Sequence, residues 1–237
     1  MNVFQNRDMI APNKKELLLG LLCWFCYLIV FPILFAAFPA FAGDDLRSQF
    51  LYNLTVSVSS FLLILGVFRN FLFRSRVPFL MVVLTCFFGY IAIMGLDSLM
   101  ALLLSFLSSF LKEKPVNMNQ EIVNSFLLTY KGAMIVDVVL LAPFIEEFLF
   151  RGLIFAPLCK RKPFLAYVVS MSCFAALHVI SFIGVQDWSV LLFSALQYLP
   201  AGFVLCWSYQ RSRSIWAPIA LHGVMNFLSA IAILAMA

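Results

Sequence analysis

Three ionisable side chains, Glu146, Glu147 and Arg151, lie together in the apolar segment PFIEEFLFRG. The two histidines of the chain, His178 in FAALHVI and His222 in IALHGVMN, also lie in apolar segments. Such groups are costly in lipid and usually face a helix-bundle interior or a water-filled cavity. A carboxylate and an imidazole that share a cavity can take a proton from water, and neighbouring donors can stabilise a negative oxygen. These residues are therefore candidates for a hydrolytic site.

Helical spacing gives the two glutamates different roles. Glu147 and Arg151 are i, i+4 neighbours, so they are expected to pair, because a buried arginine needs a counter-charge. Glu146 points about 100° away around the same helix and has no partner there. We therefore interpret Glu146 as the base that accepts a proton from water. His222 and Asn226 are also i, i+4 neighbours and could bind the oxygen that becomes negative.

Distances along the helices predict that these side chains meet at one depth. The helices that carry the acidic pair and His178 are joined by the basic loop CKRK, so they should form an antiparallel hairpin. Glu146 and His178 then lie about 21 and 24 Å from this loop. His222 lies about 14 Å from the basic segment RSR, with Asn226 about 6 Å deeper. From these residues alone, a polar network that only fixes helix packing is as well supported as a catalytic site.

The elements that position these residues are membrane helices. The chain has 237 residues, of which 64% are hydrophobic and 11% are charged, and its mean hydropathy is +1.01. A bilayer core about 30 Å thick needs roughly 20 apolar residues per helix. We therefore predict an all-α, polytopic transmembrane bundle that forms a single integral membrane domain over 1–237. Its predicted spans are 17–42, 50–73, 78–111, 127–158, 163–185, 188–209 and 214–236.

Segment 78–111 allows two interpretations, because it could be one long helix or a full span followed by a shorter piece after Asp97. The count is therefore about seven spans, with possibly eight helices. An odd count with a cytoplasmic N-terminus satisfies the positive-inside rule. It places these basic residues in the cytoplasm: Arg7, Lys14, Lys15, Arg69, Arg74, Arg76, Lys160, Arg161, Lys162, Arg211 and Arg213. Only Arg47, Lys112, Lys114 and Lys131 then lie outside.

This distribution of charge also bears on location and partners. The net charge of +5 comes from short clusters between apolar runs, so it does not indicate nucleic-acid binding. We predict a bilayer protein of the bacterial plasma membrane, with an active site that opens to the cytoplasmic side. Two further acids, Asp97 and Asp137, lie within predicted spans, and for both we expect helix pairing or a water pocket rather than catalysis.

Three motifs carry a resemblance to a known family. Glu146-Glu147-x-x-x-Arg151, Phe174-x-x-x-His178 and His222-x-x-x-Asn226 occur in this order on separate predicted helices. The set closely resembles the motifs of the CPBP family (CAAX proteases and bacteriocin-processing enzymes, also called Abi), which includes type II CAAX prenyl endopeptidases. The resemblance covers about 127–230.

The resemblance implies an intramembrane endopeptidase. In that family, the residue matching Glu146 activates water together with the one matching His178. The positions of His222 and Asn226 form the oxyanion site, and those of Glu147 and Arg151 support it. The implied substrate is a membrane protein, a lipidated protein or a peptide, and nothing in the chain argues for prenylation.

The need for a metal differs between accounts of the family. The chain has no HExxH motif, and its two histidines plus Glu146 could ligate zinc only if Glu146 ceased to be a free base or another ligand joined. We favour a reaction that requires no cofactor, with zinc possible.

Two other function classes stay open. The chain could be a non-catalytic scaffold or a bacteriocin self-immunity protein that keeps the protease fold. A transporter that uses the same network for proton or ion relay is the third hypothesis. The sequence shows no inverted repeat and no paired broken helices, which are typical of that class.

Overall fold

A computed structural model describes residues 9–41, 43–75, 77–111 and 117–237. These residues form helices and turns, with one isolated bridge between Ile183 and Gln186. The predicted all-α class is therefore confirmed. The helices, numbered in chain order, are α1 (Lys14–Ala36), α2 (Leu46–Arg74), α3 (Phe79–Leu111), α4 (Met118–Thr129), α5 (131–159), α6 (Pro163–Phe182), α7 (Trp188–Ser212) and α8 (Trp216–Met236).

The lengths of these helices support the predicted polytopic bundle. Six of them, α1, α2, α3, α6, α7 and α8, are long and apolar enough to cross a membrane. Helix α5 is also long enough, at about 43 Å, but it carries Asp137, Glu146, Glu147 and Arg151 and is too charged for that set. With α5 included, the described chain has about seven helices of membrane length.

Of the two longest predicted spans, one forms a single helix and the other is interrupted. Segment 78–111 forms one helix, α3, so it does not divide after Asp97. The predicted span 127–158 does divide, because Tyr130 leaves helical geometry (φ −118°, ψ 43°) and α5 begins after it. The ring of Tyr130 stacks on Phe50 of α2 with a centroid distance of 4.2 Å, which holds the break in place. The short helix α4 is thus separate from α5 and brings the number of described helices to eight.

Helix α5 lies at the centre of the bundle and contacts α1, α2, α6, α7 and α8. Its buried phenylalanines explain this position. Phe148 packs on Phe68 of α2 at 4.3 Å between ring centroids, and Phe150 packs on Phe174 of α6 at 5.4 Å. The most charged long helix is therefore the one most completely surrounded by protein.

The two ends of the bundle differ in charge. We call one the basic end: it contains the start of α1, the end of α2, and the α5–α6 and α7–α8 turns. The opposite, distal end contains Asp44, Asp45, Glu121 and Asp187, with Arg47 and Lys131 as its described basic residues. Arg7, Arg76, Lys112 and Lys114 lie outside the described residues. The described basic end carries Lys14, Lys15, Arg69, Arg74, Lys160, Arg161, Lys162, Arg211 and Arg213. A cytoplasmic basic end stays a prediction.

The basic end is also tied together by contacts between elements distant in the chain. Arg74 pairs with Glu16 at 2.7 Å, and the indole of Trp216 donates to the carbonyl of Leu72 at 3.0 Å. The hydroxyl of Tyr209 also donates to the carbonyl of Ile10 at 2.6 Å, and the hydroxyl of Ser214 donates to the carbonyl of Ser75. These contacts close the bundle at that end.

Candidate active site

Glu147, Arg151 and His222 form what we call the bracing network. One oxygen of Glu147, Oε1, accepts from Nη1 of Arg151 at 2.9 Å and lies 2.9 Å from Nδ1 of His222. The side chains of Glu147 and Arg151 are fully buried. Because a carboxylate oxygen only accepts, His222 donates its Nδ1 proton in this contact. The predicted Glu147–Arg151 pair is present, and it extends to a histidine on another helix.

Arg151 continues this network to two more helices. Its Nη2 donates to the carbonyl of Gly202 on α7 at 3.0 Å. Its guanidinium lies over the ring of Phe174 on α6, 4.6 Å from the centroid, which is a favourable cation–π geometry. One buried cation therefore joins α5 to α6 and α7, while Glu147 joins α5 to α8.

Glu146 and His178 form the cavity pair. Oε2 of Glu146 lies 3.8 Å from Nε2 of His178, and both side chains stay slightly exposed, at 13% and 14%. The other ring nitrogen of His178, Nδ1, donates to the carbonyl of Phe174 at 2.8 Å. A neutral His178 therefore presents an unprotonated Nε2 towards Glu146. Among the described residues, Oε2 of Glu146 has no hydrogen-bond partner.

The backbone of α5 is irregular where α8 meets it. Residues Asp137–Leu141 are π-helical, with the N–H of Ala142 donating to the carbonyl of Asp137, and in this register Pro143 has no N–H to donate to the carbonyl of Val138. Gly223 of α8 lies against the next carbonyl, that of Val139, so closely that a Cβ at 223 would be 2.7 Å from the oxygen. One turn along α8, the amide of Asn226 donates to the carbonyl of Val138 at 2.7 Å. The irregular turn of α5 thus fixes the position of Asn226.

A cavity of about 810 Å³ joins these groups. Glu146, His178, His222 and Asn226, the four predicted catalytic residues, all line it. Glu147 and Arg151, the two predicted supporting residues, do not line it and stay behind its wall. The arrangement can hold water against a carboxylate and an imidazole, beside a carboxamide donor.

Comparison with known proteins agrees with this arrangement. A family model described as "Type II CAAX prenyl endopeptidase Rce1-like" matches residues 129–228, which contain all three motifs. This part of the chain is therefore similar to the CAAX protease family that the three motifs resemble. A curated relative of Bacillus subtilis (strain 168), named "Putative membrane peptidase YdiL", is 32% identical over 94 residues. The match covers 39% of this chain and 34% of the relative, about a third of its length. No solved structure matches the chain.

Tyr198 is a feature of this candidate site that the motifs do not include. Its ring stacks on that of His178, with centroids 4.1 Å apart and planes at 26°. Its hydroxyl accepts from Asn119 at 3.1 Å and donates to Asn117 at 3.0 Å. Both asparagines belong to the first turn of α4, where Asn117 is the N-cap. The polar run NMNQ, placed before an apolar helix, is the sequence signal that could have indicated this contact.

The cavity extends towards the distal end rather than the basic end. Its lining residue nearest the basic end is His222, six residues into α8, and the lining continues to Ile233 and Asn117 at the other end. The cavity therefore extends away from Lys14, which lies at the basic end. The predicted opening of the site to the cytoplasmic side stays a prediction.

The donor set fits zinc poorly. Among the residues that the structure describes, no three His, Cys, Asp or Glu side chains lie close enough to hold a metal ion. Glu146 and His178 together supply two ligands, whereas a catalytic zinc usually has three from the protein. His222 does not complete such a set, because it does not form a group of three donors with the cavity pair. The described residues therefore do not fit a catalytic zinc site.

The two additional intramembrane acids have different surroundings. Asp137 is 9% exposed and does not line the cavity, and its Oδ1 has no hydrogen-bond partner among the described residues. Asp97 lines the cavity from α3. Of the two expected settings, helix pairing and a water pocket, Asp97 therefore corresponds to the second, since it lines the cavity.

Proposed function

We propose that the chain is an intramembrane endopeptidase that hydrolyses a peptide bond in a membrane-associated protein or peptide. The observation that carries this proposal is the cavity pair: Glu146 and His178 face each other at 3.8 Å in the wall of an 810 Å³ cavity. The similarity of residues 129–228 to the type II CAAX prenyl endopeptidase family supports the same class of reaction.

Water is activated by the cavity pair in this proposal. A water molecule that donates one O–H to Glu146 and the other to the unprotonated Nε2 of His178 directs its lone pairs into the cavity. As its oxygen adds to the peptide carbonyl carbon, Glu146 takes the proton. The same proton then passes to the amide nitrogen as the C–N bond breaks. The hydrogen bond from His178 to the carbonyl of Phe174 keeps Nε2 directed at the water.

The negative oxygen of the tetrahedral intermediate is bound by α8 in this proposal. The amide of Asn226 uses one N–H for the carbonyl of Val138, which leaves its second N–H for the substrate. His222 can donate from Nε2 only when its ring is protonated. Its contact with Glu147 at 2.9 Å fixes the orientation of the ring at the cavity wall. Donors of this kind act most strongly in sites from which water is excluded.

The bracing network has a positioning role. Glu147 and Arg151 do not touch the cavity, and their contacts set the distances between α5, α6, α7 and α8. We infer that they hold the cavity pair and the oxyanion donors in register.

The proposed setting is a bacterial cell membrane, with the basic end in the cytoplasm. Substrates are a membrane protein, a lipidated protein or a peptide that reaches the cavity from the bilayer. The reaction is proposed to need no metal. Activity should survive dialysis against a chelator, and zinc-dependent recovery of lost activity would contradict this part of the proposal.

A comparison of membrane peptides tests the function and searches for the substrate at once. Cells that express the wild type, Glu146→Gln or Glu121→Gln would be compared by quantitative peptide mass spectrometry. Glu121 is an exposed glutamate on α4, so its replacement is the matched control. We expect a cleavage product that is present with the wild type and the control and absent with Glu146→Gln.

The non-catalytic alternative predicts a different result. A scaffold or self-immunity protein would need the bracing network but not a proton acceptor at Glu146. Glu146→Gln would then complement a deletion strain fully and leave the peptide profile unchanged. Purified wild-type protein that fails to cut the product's precursor would also overturn the protease proposal.

A further inference from the structure

One face of α3 forms a wall of the cavity and carries an unpaired acid. Tyr90, Ile93, Asp97, Met100 and Leu104 line the cavity at helical spacing. Asp97 is exposed and has no hydrogen bond or ion pair with any described residue. The lining includes Glu146 as a second carboxylate and contains no lysine or arginine among the residues described. A carboxylate at this depth is costly unless a cation balances it.

The cavity is open to the surface beside Asp97, between α3 and α8. Helices α3 and α8 approach closely near the basic end, where a Cβ at Gly89 would be 2.6 Å from the side chain of Leu221. Further along, Asp97 and Ala101 on α3 and Ser229 and Ala232 on α8 are all exposed, and all line the cavity. The two helices therefore diverge towards the distal end, and Asp97 lies at this opening.

The depth of Asp97 can be compared with that of the cavity pair. Asp97 is 18 residues after Phe79, about 27 Å from the basic end, whereas Glu146 is 13 residues before Cys159, about 20 Å from it. The axial offset is about 7 Å, which an extended peptide covers in about two residues at roughly 3.3 Å each. A substrate whose scissile bond lies at Glu146 thus brings its second residue towards the distal end alongside Asp97.

We propose that Asp97 is a specificity-determining residue that binds a Lys or Arg side chain of the substrate, about two residues from the scissile bond on the distal side. The proposal rests on the proposed function, because it places the scissile bond at Glu146. It also gives the unpaired carboxylate a partner that arrives only with the substrate. An uncharged substrate would leave Asp97 desolvated and without a counter-charge.

The test uses full-length protein in lipid nanodiscs and a set of synthetic apolar peptides. Each peptide carries a single Lys, Met or Glu at one of three positions on either side of a common cleavable bond, and cleavage is followed by mass spectrometry. We expect kcat/KM to be at least about tenfold higher for Lys than for Met at one position. Asp97→Asn should remove this preference, and Asp97→Lys should transfer it to the Glu peptide.

Two controls separate this proposal from the proposed function. Asp187→Asn, at an exposed acid that does not line the cavity, should keep the preference for Lys. Binding of the same peptides, labelled and followed by fluorescence anisotropy, needs no turnover. Equal binding of Lys and Met peptides by the wild type, or a Lys preference that persists in Asp97→Asn, overturns the role of Asp97. A Lys preference in binding without any cleavage would support Asp97 and overturn the protease proposal.

Discussion

Glu146 and Glu147 are adjacent in the chain, yet one belongs to the cavity pair and the other to the bracing network. Glu147 is fully buried, and one of its oxygens contacts both Arg151 and His222. Glu146 lies in the cavity wall, 3.8 Å from His178. Oε2 of each glutamate has no hydrogen bond among the described residues, but only Glu146 lines the cavity. A rotation of about 100° per helical residue is enough to separate the two environments.

This difference shows how one membrane helix can carry both structural and reactive charge. Charges that are paired with an opposite charge stabilise the arrangement of helices, and breaking such a pair leaves an uncompensated buried charge. A charge that lines a cavity and has no paired cation can instead interact with water or substrate. The comparison therefore predicts that equivalent substitutions at the two glutamates affect different properties.

The largest effect is expected when Glu146→Gln is compared with Glu147→Gln in kcat and in melting temperature. Glu146→Gln keeps the shape of the side chain and removes the proton acceptor, so kcat should fall by about 10²–10⁴-fold. Its melting temperature in detergent should stay close to that of the wild type. Glu147→Gln should lower the melting temperature, because Arg151 loses its counter-charge. Equal losses of stability in both variants would remove the distinction between the two residues.

Arg151→Met tests the bracing network alone. It leaves Glu147 buried without its cation and frees the carbonyl of Gly202, at an expected cost of about 3–5 kcal/mol of unfolding free energy. Thermal unfolding in detergent measures the loss. Arg211→Met is the control, since Arg211 is exposed at the basic end and should lose little. The double change Glu147→Met and Arg151→Met should recover part of the stability, and no recovery would argue against an ion-pair origin.

Asn226→Leu extends the comparison to the proposed oxyanion site. Loss of one oxyanion donor costs about 10²–10³-fold in kcat, and KM should change much less. Asn124→Leu on α4 is the matched control, because Asn124 bonds only Gln120 among the described contacts and does not line the cavity. A fall confined to KM would indicate that Asn226 binds substrate without stabilising the intermediate.

The smallest effects are expected at Tyr198, which touches the cavity pair without belonging to the motifs. Tyr198→Phe keeps the stacking on His178 and loses the hydrogen bonds to α4, whereas Tyr198→Leu loses both. Aromatic stacking contributes about 0.5–1.5 kcal/mol, so kcat should fall a few-fold further in the Leu variant. Tyr167→Phe, which removes a hydroxyl bonded to Gln210 away from the cavity, is the control. Identical kcat values for the two Tyr198 variants would exclude a role of the stacked ring.

Much of this arrangement could be predicted from the sequence, because local spacing and depth are linear along a helix. The i, i+4 rule predicted the Glu147–Arg151 pair, and counting from CKRK predicted that Glu146 and His178 meet. The same counting could not show that His222 reaches Glu147 rather than facing only the cavity. That contact depends on how α8 is rotated against α5.

The remaining features depend on backbone irregularity and helix tilt. The division at Tyr130 is stabilised by a ring from α2, which local propensity does not encode. Two π-helical stretches, Asp137–Leu141 and Phe148–Phe155, change the rotation of α5, so a constant 100° per residue fails on either side of the glutamates. The direction in which the cavity extends follows from the divergence of α3 and α8. The hydrophobic periodicity of the sequence does not predict how two helices are tilted.

Gly223 sets the dimensions of this site although it contributes no side chain. It lies against the carbonyl of Val139, where a single added methyl group would require α5 and α8 to separate. His222 precedes it and Asn226 follows it on the same rigid helix, so any such separation would carry both away from Glu147 and Val138 together. The lack of a side chain at Gly223 thus allows the close approach of α5 and α8 on which the proposed reactive distances depend.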